Sequence, residues 1–281
     1  MNSYDINSFI ENSLKEDIGS GDHTTLATIN KNEIKKAHIL VKQNGIIAGV
    51  ELAKRIFKKV DKKIKLTQYF KDGKKVNKGD IIFEIIGSTH SILKSERLIL
   101  NCMQRMSSIA SHTNEIRQLL KNTETKILDT RKTTPLNRLI EKWAVRIGGG
   151  INHRFGLYDM IMIKDNHIDF VGNVKNAITN TKKYIKNQNL DLKIIVEARN
   201  LNEVNEIIQE GGINRILLDN FNYQKTKEAV KIINGRYETE SSGNITQKNV
   251  LNYAKCGVDY VSMGALTNSI KTFDISLKSI K

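Results

Sequence analysis

The stretch that decides the fold is residues 193–264, KIIVEARNLNEVNEIIQEGGINRILLDNFNYQKTKEAVKIINGRYETESSGNITQKNVLNYAKCGVDYVSMG. It holds four short strand-like runs, KIIV, RILL, a weaker YETE and DYVSM, which begin about 22 residues apart and alternate with helical segments. Two earlier runs, at 126–128 and 160–163, extend the pattern. Such alternation predicts parallel strands covered by helices, at a spacing near the minimum for one strand, one helix and two tight loops. The sequence therefore predicts a parallel α/β barrel or part of one.

The chain before this pattern indicates a small α+β unit. Residues 37–50 hold two apolar runs around a glycine, and residues 51–60 have helical spacing. Residues 71–87 contain two turns, each followed by a β-rich run. A long helical stretch from Ser91 to Leu120 contains no helix breaker, so we expect it to join the two parts of the chain.

Composition sets limits on the class of protein. The 281 residues are 39% hydrophobic and 27% charged, as in globular proteins, which excludes a pure linker or tail. Neither an apolar window of membrane-spanning length nor a secretory signal is visible, so we expect a cytoplasmic protein without a membrane partner. Cys102 and Cys256 lack metal-site spacing, and we expect buried free thiols.

The net charge is ambiguous. Forty-five Lys and Arg against thirty Asp and Glu give +15, which would attract nucleic acid, an anionic membrane or acidic small molecules. The chain is also rich in Lys, Asn and Ile throughout and has one proline, which indicates a general drift in composition. Charge alone does not choose among these partners.

Polar or small residues stand at the end of every strand-like run. They are Asp129, Thr130, Arg131 and Lys132; Lys164, Asp165 and Asn166; Glu197; Asp219 and Asn220; Ser241, Ser242 and Gly243; and Gly264. Singly, each could cap a helix or turn the chain. In a parallel barrel the carboxyl ends of the strands gather on one face, so six such ends predict an active site there.

Segment 129–167 carries the cations of this face. A helix is predicted to start at Thr134 and Pro135, with an apolar stripe running from Leu136 to Ile147. Three basic residues lie mostly off that stripe and are predicted to be solvated: Arg138, Lys142 and Arg146. Five basic residues outside the helix are the candidates instead: Arg131, Lys132, His153, Arg154 and Lys164. Arginines and lysines facing one cleft suit a ligand with several carboxylates or phosphates.

Two carboxylates, Glu197 and Asp219, follow neighbouring strands without an obvious basic neighbour in sequence. Carboxylates would repel a polyphosphate unless a hard cation lay between them. Carboxylates together with phosphate oxygens are the usual ligands of Mg²⁺. A salt bridge to a nearby lysine is the alternative. The Ser241–Gly243 and Gly264 loops fit a phosphate site built from the last two βα loops. Neither a P-loop motif nor a GxGxxG after a strand occurs, which excludes those two nucleotide-binding classes.

Seven stretches between residues 14 and 269 resemble the quinolinate phosphoribosyltransferase family. They are LKEDIGSGDHTT (14–25), ERLILNCMQRMSSIA (96–110), DTRKTTP (129–135), GGGINHRFGLYDMIMIKDNHI (148–168), RILLDNF (215–221), ESSGNIT (240–246) and GVDYVSMGALTNS (257–269). They cover nearly the whole chain in one order. Small departures from the family pattern are His23, Ile195 and Asn244, and none removes a residue assigned a charge role.

The resemblance implies an N-terminal α/β sandwich at 1–108, an open seven-stranded α/β barrel at 109–268, and a tail at 269–281 that packs back on the first domain. Seven strands are one more than the visible runs. The implied reaction joins quinolinate and phosphoribosyl pyrophosphate into nicotinate mononucleotide, pyrophosphate and CO₂, with Mg²⁺. It also implies a homodimer whose active site borrows from the partner subunit, and the sequence leaves open whether dimers assemble further, for example into a hexamer.

Carried onto this chain, the family's residues fall on the candidates above. The resemblance places substrate binding on Arg131, Lys132, His153, Arg154 and Lys164. It makes Arg97 the arginine that is given across the dimer, and Glu197 and Asp219 the metal and ribose carboxylates. The 5′-phosphate loops correspond to Ser242, Gly243 and Gly264. Lys132 or Lys164 is the candidate near the leaving pyrophosphate or for protonation of the ring after CO₂ departs.

Three alternatives stay open at this point. A barrel enzyme could form a Schiff base at Lys164. A related phosphoribosyltransferase could act on nicotinate without decarboxylation. A basic nucleic-acid-binding protein would need aromatic residues interleaved with basic ones or a recognition helix, and neither is visible, so we expect no nucleic-acid partner.

Overall fold

The computed structural model describes residues 3–280 and divides into two compact units. Unit 1 comprises the described residues of Met1–Asn114, Thr134–Gly149 and Ser269–Lys281; unit 2 comprises Glu115–Thr133 and Gly150–Asn268. Residues 134–149, which follow the first strand-like run of the barrel in sequence, are thus grouped with unit 1.

The elements in chain order are α1 (Ser3–Ile18), α2 (His23–Thr28), β1 (Ile34–Val41), β2 (Gly45–Ile46), α3 (Val50–Val60), β3 (Lys65–Gln68), β4 (Lys75–Val76), β5 (Ile81–Ser88), α4 (Thr89–Leu119), β6 (Lys126–Leu128), α5 (Arg138–Ile147), β7 (Ile161–Ile163), α6 (Asp165–Val171), α7 (Val174–Gln188), β8 (Ile194–Ala198), α8 (Leu201–Glu210), β9 (Arg215–Asp219), α9 (Tyr223–Ile233), β10 (Glu238–Ser242), α10 (Val250–Ala254), β11 (Tyr260–Ser262), α11 (Ala265–Asn268) and β12 (Ile275–Ile280).

Unit 1 is built on a four-stranded antiparallel sheet in the order β12-β1-β5-β3. Alternate residues of β1 are buried, as expected for a strand with one covered face: Ala37, Ile39 and Val41. The strand β12 pairs with β1, so the C-terminal segment lies in this sheet. Helix α3 buries an apolar face that includes Leu52, Ile56 and Phe57, which confirms the helical spacing of its sequence.

Helix α5 differs from its prediction in two ways. It begins at Arg138 rather than at Pro135, because residues 134–137 form a turn in which the Asn137 N–H donates to the Thr134 carbonyl. Leu136, predicted on the apolar stripe, is 95% exposed and has φ +64°. Lys142, predicted to be solvated, is buried instead. Helix α5 is therefore buried on more than its apolar stripe, which periodicity alone does not reveal.

Unit 2 contains a six-stranded parallel sheet in the order β6-β11-β10-β9-β8-β7. The strands follow one another in sequence from β7 to β11, and β6 then lies beside β11, which is the cyclic order of an open barrel with β6 and β7 at its edges. A single residue extends the sheet beyond β6, since Ile151 forms a parallel bridge with Leu128. This bridge occupies the place of the seventh strand that the resemblance implied.

Two simpler predictions are also tested within residues 3–280. Cys102 and Cys256 are buried free cysteines, and burial raises the pKa of the Cys102 thiol to about 12. No helix in this range combines the length and the apolar character needed to cross a membrane.

Candidate active site

Unit 2 contains a cavity of about 530 Å³ at the carboxyl ends of its parallel strands. Side chains alternate between the inside and the outside of a barrel, so residues paired across strands share a layer. Asp219 pairs with Ser242 in the layer at the strand ends, and Leu217 pairs with Glu240 one layer deeper. All four line the cavity. The strand register therefore places both charged and apolar groups on its wall.

Nine of the eleven sequence-predicted site residues line this one cavity: Arg131, Lys132, His153, Arg154, Lys164, Asp219, Ser242, Gly243 and Gly264. They come from five strand ends and from the loop before β7. The other two are Glu197 and Arg97. Glu197 is buried behind the wall, in contact with a residue that lines it. Arg97 lies in α4, in unit 1, with an exposed side chain.

Arg131 and Arg154 form the arginine pair of the cavity. Arg154 is 9% exposed, and its Nη1 donates to the Met160 carbonyl at 3.3 Å. Burial and the neighbouring charge of Arg131 lower the pKa of Arg154, while Asp159 partly opposes them. The two guanidinium groups are therefore close enough to repel each other, and a bound anion would relieve that repulsion.

Asp129 holds the loop that carries His153 and Arg154. Its side chain is fully buried at the end of β6, and its Oδ1 accepts from the backbone N–H of His153 at 2.8 Å. Its Oδ2 accepts from Asn152 Nδ2 at 2.5 Å. The Nδ1 atom of His153 in turn accepts from the backbone N–H of Arg154 at 2.7 Å. The sequence indicated Asp129 as a strand-end residue, and the structure gives it this anchoring function.

Lys164 and Glu197 form an ion pair across neighbouring strands, with 3.2 Å between Nζ and Oε2. The alternative interpretation of a salt bridge to a lysine thus holds for Glu197. Burial and the charge of Asp219 raise the pKa of Glu197, while Lys164 and the Asp165 backbone N–H lower it, and the net direction is upward. Asp219 is therefore close enough to Glu197 for the two charges to interact.

The two carboxylates satisfy only part of a metal's coordination. Within residues 3–280, no group of three or more His, Cys, Asp and Glu side chains is arranged to hold a metal ion. Mg²⁺ needs about six oxygen ligands and commonly takes one or two carboxylates, waters and substrate phosphates. Glu197 and Asp219 fit that pattern, provided that the substrate supplies oxygens.

The two glycine loops lie at strand ends and are closely packed against neighbouring residues. Gly243 follows β10 with φ +90°, and Gly264 follows β11. A Cβ atom on Gly264 would lie 2.8 Å from Cδ of Lys132, so the absence of a side chain gives Lys132 its place. Thr267 Oγ1 donates to the Lys132 carbonyl at 2.8 Å and fixes this contact.

Glu240 is a site residue that sequence reasoning missed. It lines the cavity and lies at the end of YETE, a weaker strand-like run of the sequence, from which Glu240 was not assigned to the site. The signal was the period of two: Glu240 precedes Ser242 by two residues, so both must face the barrel interior if one does.

Comparisons with known proteins point to one family. Residues 109–278 match the model of the quinolinate phosphoribosyl transferase C-terminal domain, and residues 22–107 match the N-terminal domain of the same name. The chain is 44% identical to a chloroplastic nicotinate-nucleotide pyrophosphorylase [carboxylating] of Arabidopsis thaliana, over 98% of this chain and 83% of that protein. It is 38% identical to a probable nicotinate-nucleotide pyrophosphorylase [carboxylating] of Bacillus subtilis, over 99% and 94%. The crystal structure of NadC from Streptococcus pyogenes superposes with a TM-score of 0.93 at 37% identity, covering 100% of this chain and 99% of that one.

Proposed function

Because the chain belongs to the quinolinate phosphoribosyltransferase family, we propose that it transfers the phosphoribosyl group of phosphoribosyl pyrophosphate to quinolinate and releases pyrophosphate and CO₂, leaving nicotinate mononucleotide. The observation that carries this proposal is the convergence of nine predicted residues on one cavity in unit 2. Both substrates are multiply charged anions, and the cavity wall carries two arginines and two lysines. This enzyme would belong to NAD biosynthesis.

The arginine pair explains how quinolinate would be bound. Arg131 and Arg154 offer guanidinium donors to the two adjacent carboxylates of the pyridine, and those carboxylates remove the repulsion between the arginines. Leu217 and Met162 line the same cavity and supply apolar surface for the ring. The dianion is thereby oriented with its ring nitrogen towards the sugar.

The chemistry then needs two bond changes. The lone pair of the ring nitrogen forms a bond to the ribose C1 carbon as the C1–O bond to pyrophosphate breaks. The resulting pyridinium withdraws electrons, so the bond to the carboxylate next to the nitrogen breaks, CO₂ leaves, and the pair left on the ring carbon takes up a proton. Preorganised cations stabilise the negative charge that develops on pyrophosphate.

The two lysines have different surroundings that support different functions. Lys164 is paired with the buried Glu197, and this ion pair holds the Lys164 ammonium beside the Glu197 carboxylate. Lys132 is exposed and lies against Gly264 at the phosphate loops, a position that suits contact with the leaving pyrophosphate. We assign the 5′-phosphate to the backbone N–H groups of Ser242, Gly243 and Gly264.

We propose that Glu197 and Asp219 would hold Mg²⁺ together with oxygens of phosphoribosyl pyrophosphate, and that the ion would supply positive charge to the pyrophosphate. The interaction between the two carboxylates supports this placement. The protein's own part is to keep both carboxylates at neighbouring strand ends, with Lys164 balancing one of them.

Arg97 completes the proposal through a homodimer. It is exposed on α4, so it is available to a partner subunit's cavity, as the family resemblance implies. A cytoplasmic location stays a prediction.

The test compares quinolinate with nicotinate as the acceptor. Purified enzyme is supplied with phosphoribosyl pyrophosphate and either pyridine, with Mg²⁺ or with a chelator, and nicotinate mononucleotide is quantified by chromatography. We expect product from quinolinate with Mg²⁺. We expect no product from nicotinate, and none from quinolinate when the chelator is present. Product from nicotinate alone would support the non-decarboxylating alternative instead.

A further inference from the structure

A side-chain amide that the proposed chemistry does not use lies next to the Asp219 carboxylate. Asn220 directly follows β9, is exposed and lines the cavity. Its Nδ2 donates to Oδ2 of Asp219 at 2.7 Å. Because the protein holds one oxygen of this carboxylate, the directions in which Asp219 can turn its other oxygen are limited.

The orientation of the Asn220 amide follows from its two hydrogen bonds. A carboxylate only accepts hydrogen bonds, so the NH₂ group of Asn220 must face Asp219 and its Oδ1 must face away from it. That Oδ1 accepts from Nδ2 of Asn244 at 3.1 Å. Asn244 therefore holds the amide of Asn220 in the orientation that can donate to Asp219.

Asn244 belongs to the loop after β10, which has hydrogen bonds of its own. Its φ is +50°, and its carbonyl accepts from Nδ2 of Asn249 at 3.1 Å. The Oδ1 of Asn249 in turn accepts from the backbone N–H of Thr246 at 2.7 Å. The side chain of Asn244 is therefore presented to Asn220 from a loop whose shape is restrained.

Two further contacts tie Asn220 to the same loop. Its backbone N–H donates to the Ser242 carbonyl at 2.9 Å. Gly243 approaches its side-chain amide so closely that a Cβ atom on Gly243 would overlap it. Ser242, Gly243 and Asn244 together set the place of the Asn220 amide, and the first two are the residues that we assign to the 5′-phosphate.

We propose that Asn220 is a positioning residue for phosphoribosyl pyrophosphate: it orients the Asp219 carboxylate, and Asn244 in turn orients Asn220. The loop that meets the 5′-phosphate thereby also fixes the carboxylate of the proposed metal site. This inference rests on the proposed function and goes beyond it, since it gives parts to two residues that the proposed function does not use. Asn244 is also one of the three positions at which the chain departs from the family pattern.

The experiment removes the two amides singly and together. Asn220→Gly and Asn244→Gly change exposed residues with positive φ, +53° and +50°, so glycine fits both backbones and neither substitution leaves a cavity in the core. Asn234→Gly is the control, because Asn234 also has a positive φ, +47°, but does not line the cavity. Calorimetry measures the dissociation constants of phosphoribosyl pyrophosphate, with Mg²⁺, and of quinolinate, and thermal melts follow the folding of every variant.

We expect Asn220→Gly to weaken the binding of phosphoribosyl pyrophosphate about tenfold to a hundredfold, because a hydrogen bond to a charged group is lost. Asn244→Gly should weaken it about twofold to tenfold, as expected for a hydrogen bond between neutral groups. The dissociation constant of quinolinate should stay near that of the wild type in both variants. Asn234→Gly should leave both constants unchanged.

The double variant shows whether Asn244 acts through Asn220. Asn244 orients an amide that Asn220→Gly already removes, so the double variant should bind phosphoribosyl pyrophosphate as weakly as Asn220→Gly and no more weakly. Losses that multiply would show that Asn244 acts on the ligand by itself and would overturn the inference.

Three other results would also overturn it. They are wild-type binding of phosphoribosyl pyrophosphate by Asn220→Gly or by Asn244→Gly, an equal weakening by Asn234→Gly, and an equal weakening of quinolinate binding. A wild type that binds neither substrate would instead contradict the proposed function.

Discussion

Asn220 and Gly243 lie so close that a side chain on Gly243 would collide with Asn220. A Cβ atom there would overlap the Asn220 side-chain amide and would lie 2.9 Å from its backbone nitrogen. Asn220 also donates from Nδ2 to Oδ2 of Asp219 at 2.7 Å and accepts from Asn244 at 3.1 Å. The close approach thus joins a phosphate loop to the proposed metal carboxylate.

A Gly243→Ala substitution should disturb both parts of that site. It adds the collision and places a Cβ at φ +90°, so we expect the free energy of unfolding to fall by more than about 1 kcal/mol and the KM of phosphoribosyl pyrophosphate to rise. Gly235→Ala is the control, because Gly235 also has a positive φ, +69°, but meets nothing within 4 Å. Denaturant titration and kinetics measure both effects. Equal losses in the two variants would show that backbone strain alone explains the effect.

An Arg131→Ala substitution tests the arginine pair. Removing one of the two guanidinium groups should lower kcat/KM for quinolinate, with a loss of about 2–5 kcal/mol in transition-state stabilisation, since the substrate carboxylate loses a charged partner. Arg199→Ala is the matched control: Arg199 belongs to the same unit, pairs with Asp169 and Glu203, and does not line the cavity. Near-normal kcat/KM in Arg131→Ala would remove Arg131 from quinolinate binding.

A Glu197→Gln substitution should separate activity from stability. Burial first of all raises the pKa of Glu197 in the folded protein, so its ionisation destabilises the fold as the pH rises from the unfolded pKa towards the folded one. The neutral amide lacks this penalty. We expect the melting temperature of the variant, relative to wild type, to be higher at pH 7 than at pH 4, while activity is largely lost.

The comparison at residue 197 needs a control for charge alone. Glu206→Gln removes the same charge from a residue that is exposed on α8. Its relative melting temperature should not rise in this way between the two pH values. If Glu197→Gln became less stable relative to wild type as the pH rises, the assigned direction of the pKa shift would be wrong.

A Leu136→Asn substitution should stabilise unit 1. Leu136 is 95% exposed at φ +64°, a conformation that asparagine adopts more readily than leucine, and we expect a gain of about 1 kcal/mol in the free energy of unfolding. Leu157→Asn provides the comparison, because Leu157 is exposed without a positive φ and should show no gain. The melting temperatures of the two variants, each compared with that of the wild type, test this prediction. No gain in Leu136→Asn would contradict it.

The sequence predicted the barrel well because its signals are local. The runs at β8 and β9 are continuous and apolar, and their spacing matches the observed strands. The bridge at Ile151 is a single residue after three glycines and leaves no periodic signal. The burial of Lys142 is likewise not visible in the apolar stripe of its helix.

The candidate site was predictable to the extent that it lies at strand ends. Arg131, Lys164 and Asp219 lie at strand ends or within three residues of them and were identified for that reason. Glu240 lies in a strand with polar neighbours, and its position beside His153 brings together segments that are far apart in sequence. Such contacts depend on the register of the strands, which cannot be read from the sequence alone.

The most direct test of the account measures the carboxylate that leaves. Quinolinate labelled with ¹⁴C in the carboxylate next to the ring nitrogen is incubated with the enzyme, Mg²⁺ and phosphoribosyl pyrophosphate. We predict that ¹⁴CO₂ is released in equal amount to nicotinate mononucleotide, and that release stops when phosphoribosyl pyrophosphate is omitted. Mononucleotide formed without ¹⁴CO₂, or ¹⁴CO₂ released without the sugar donor, would contradict it.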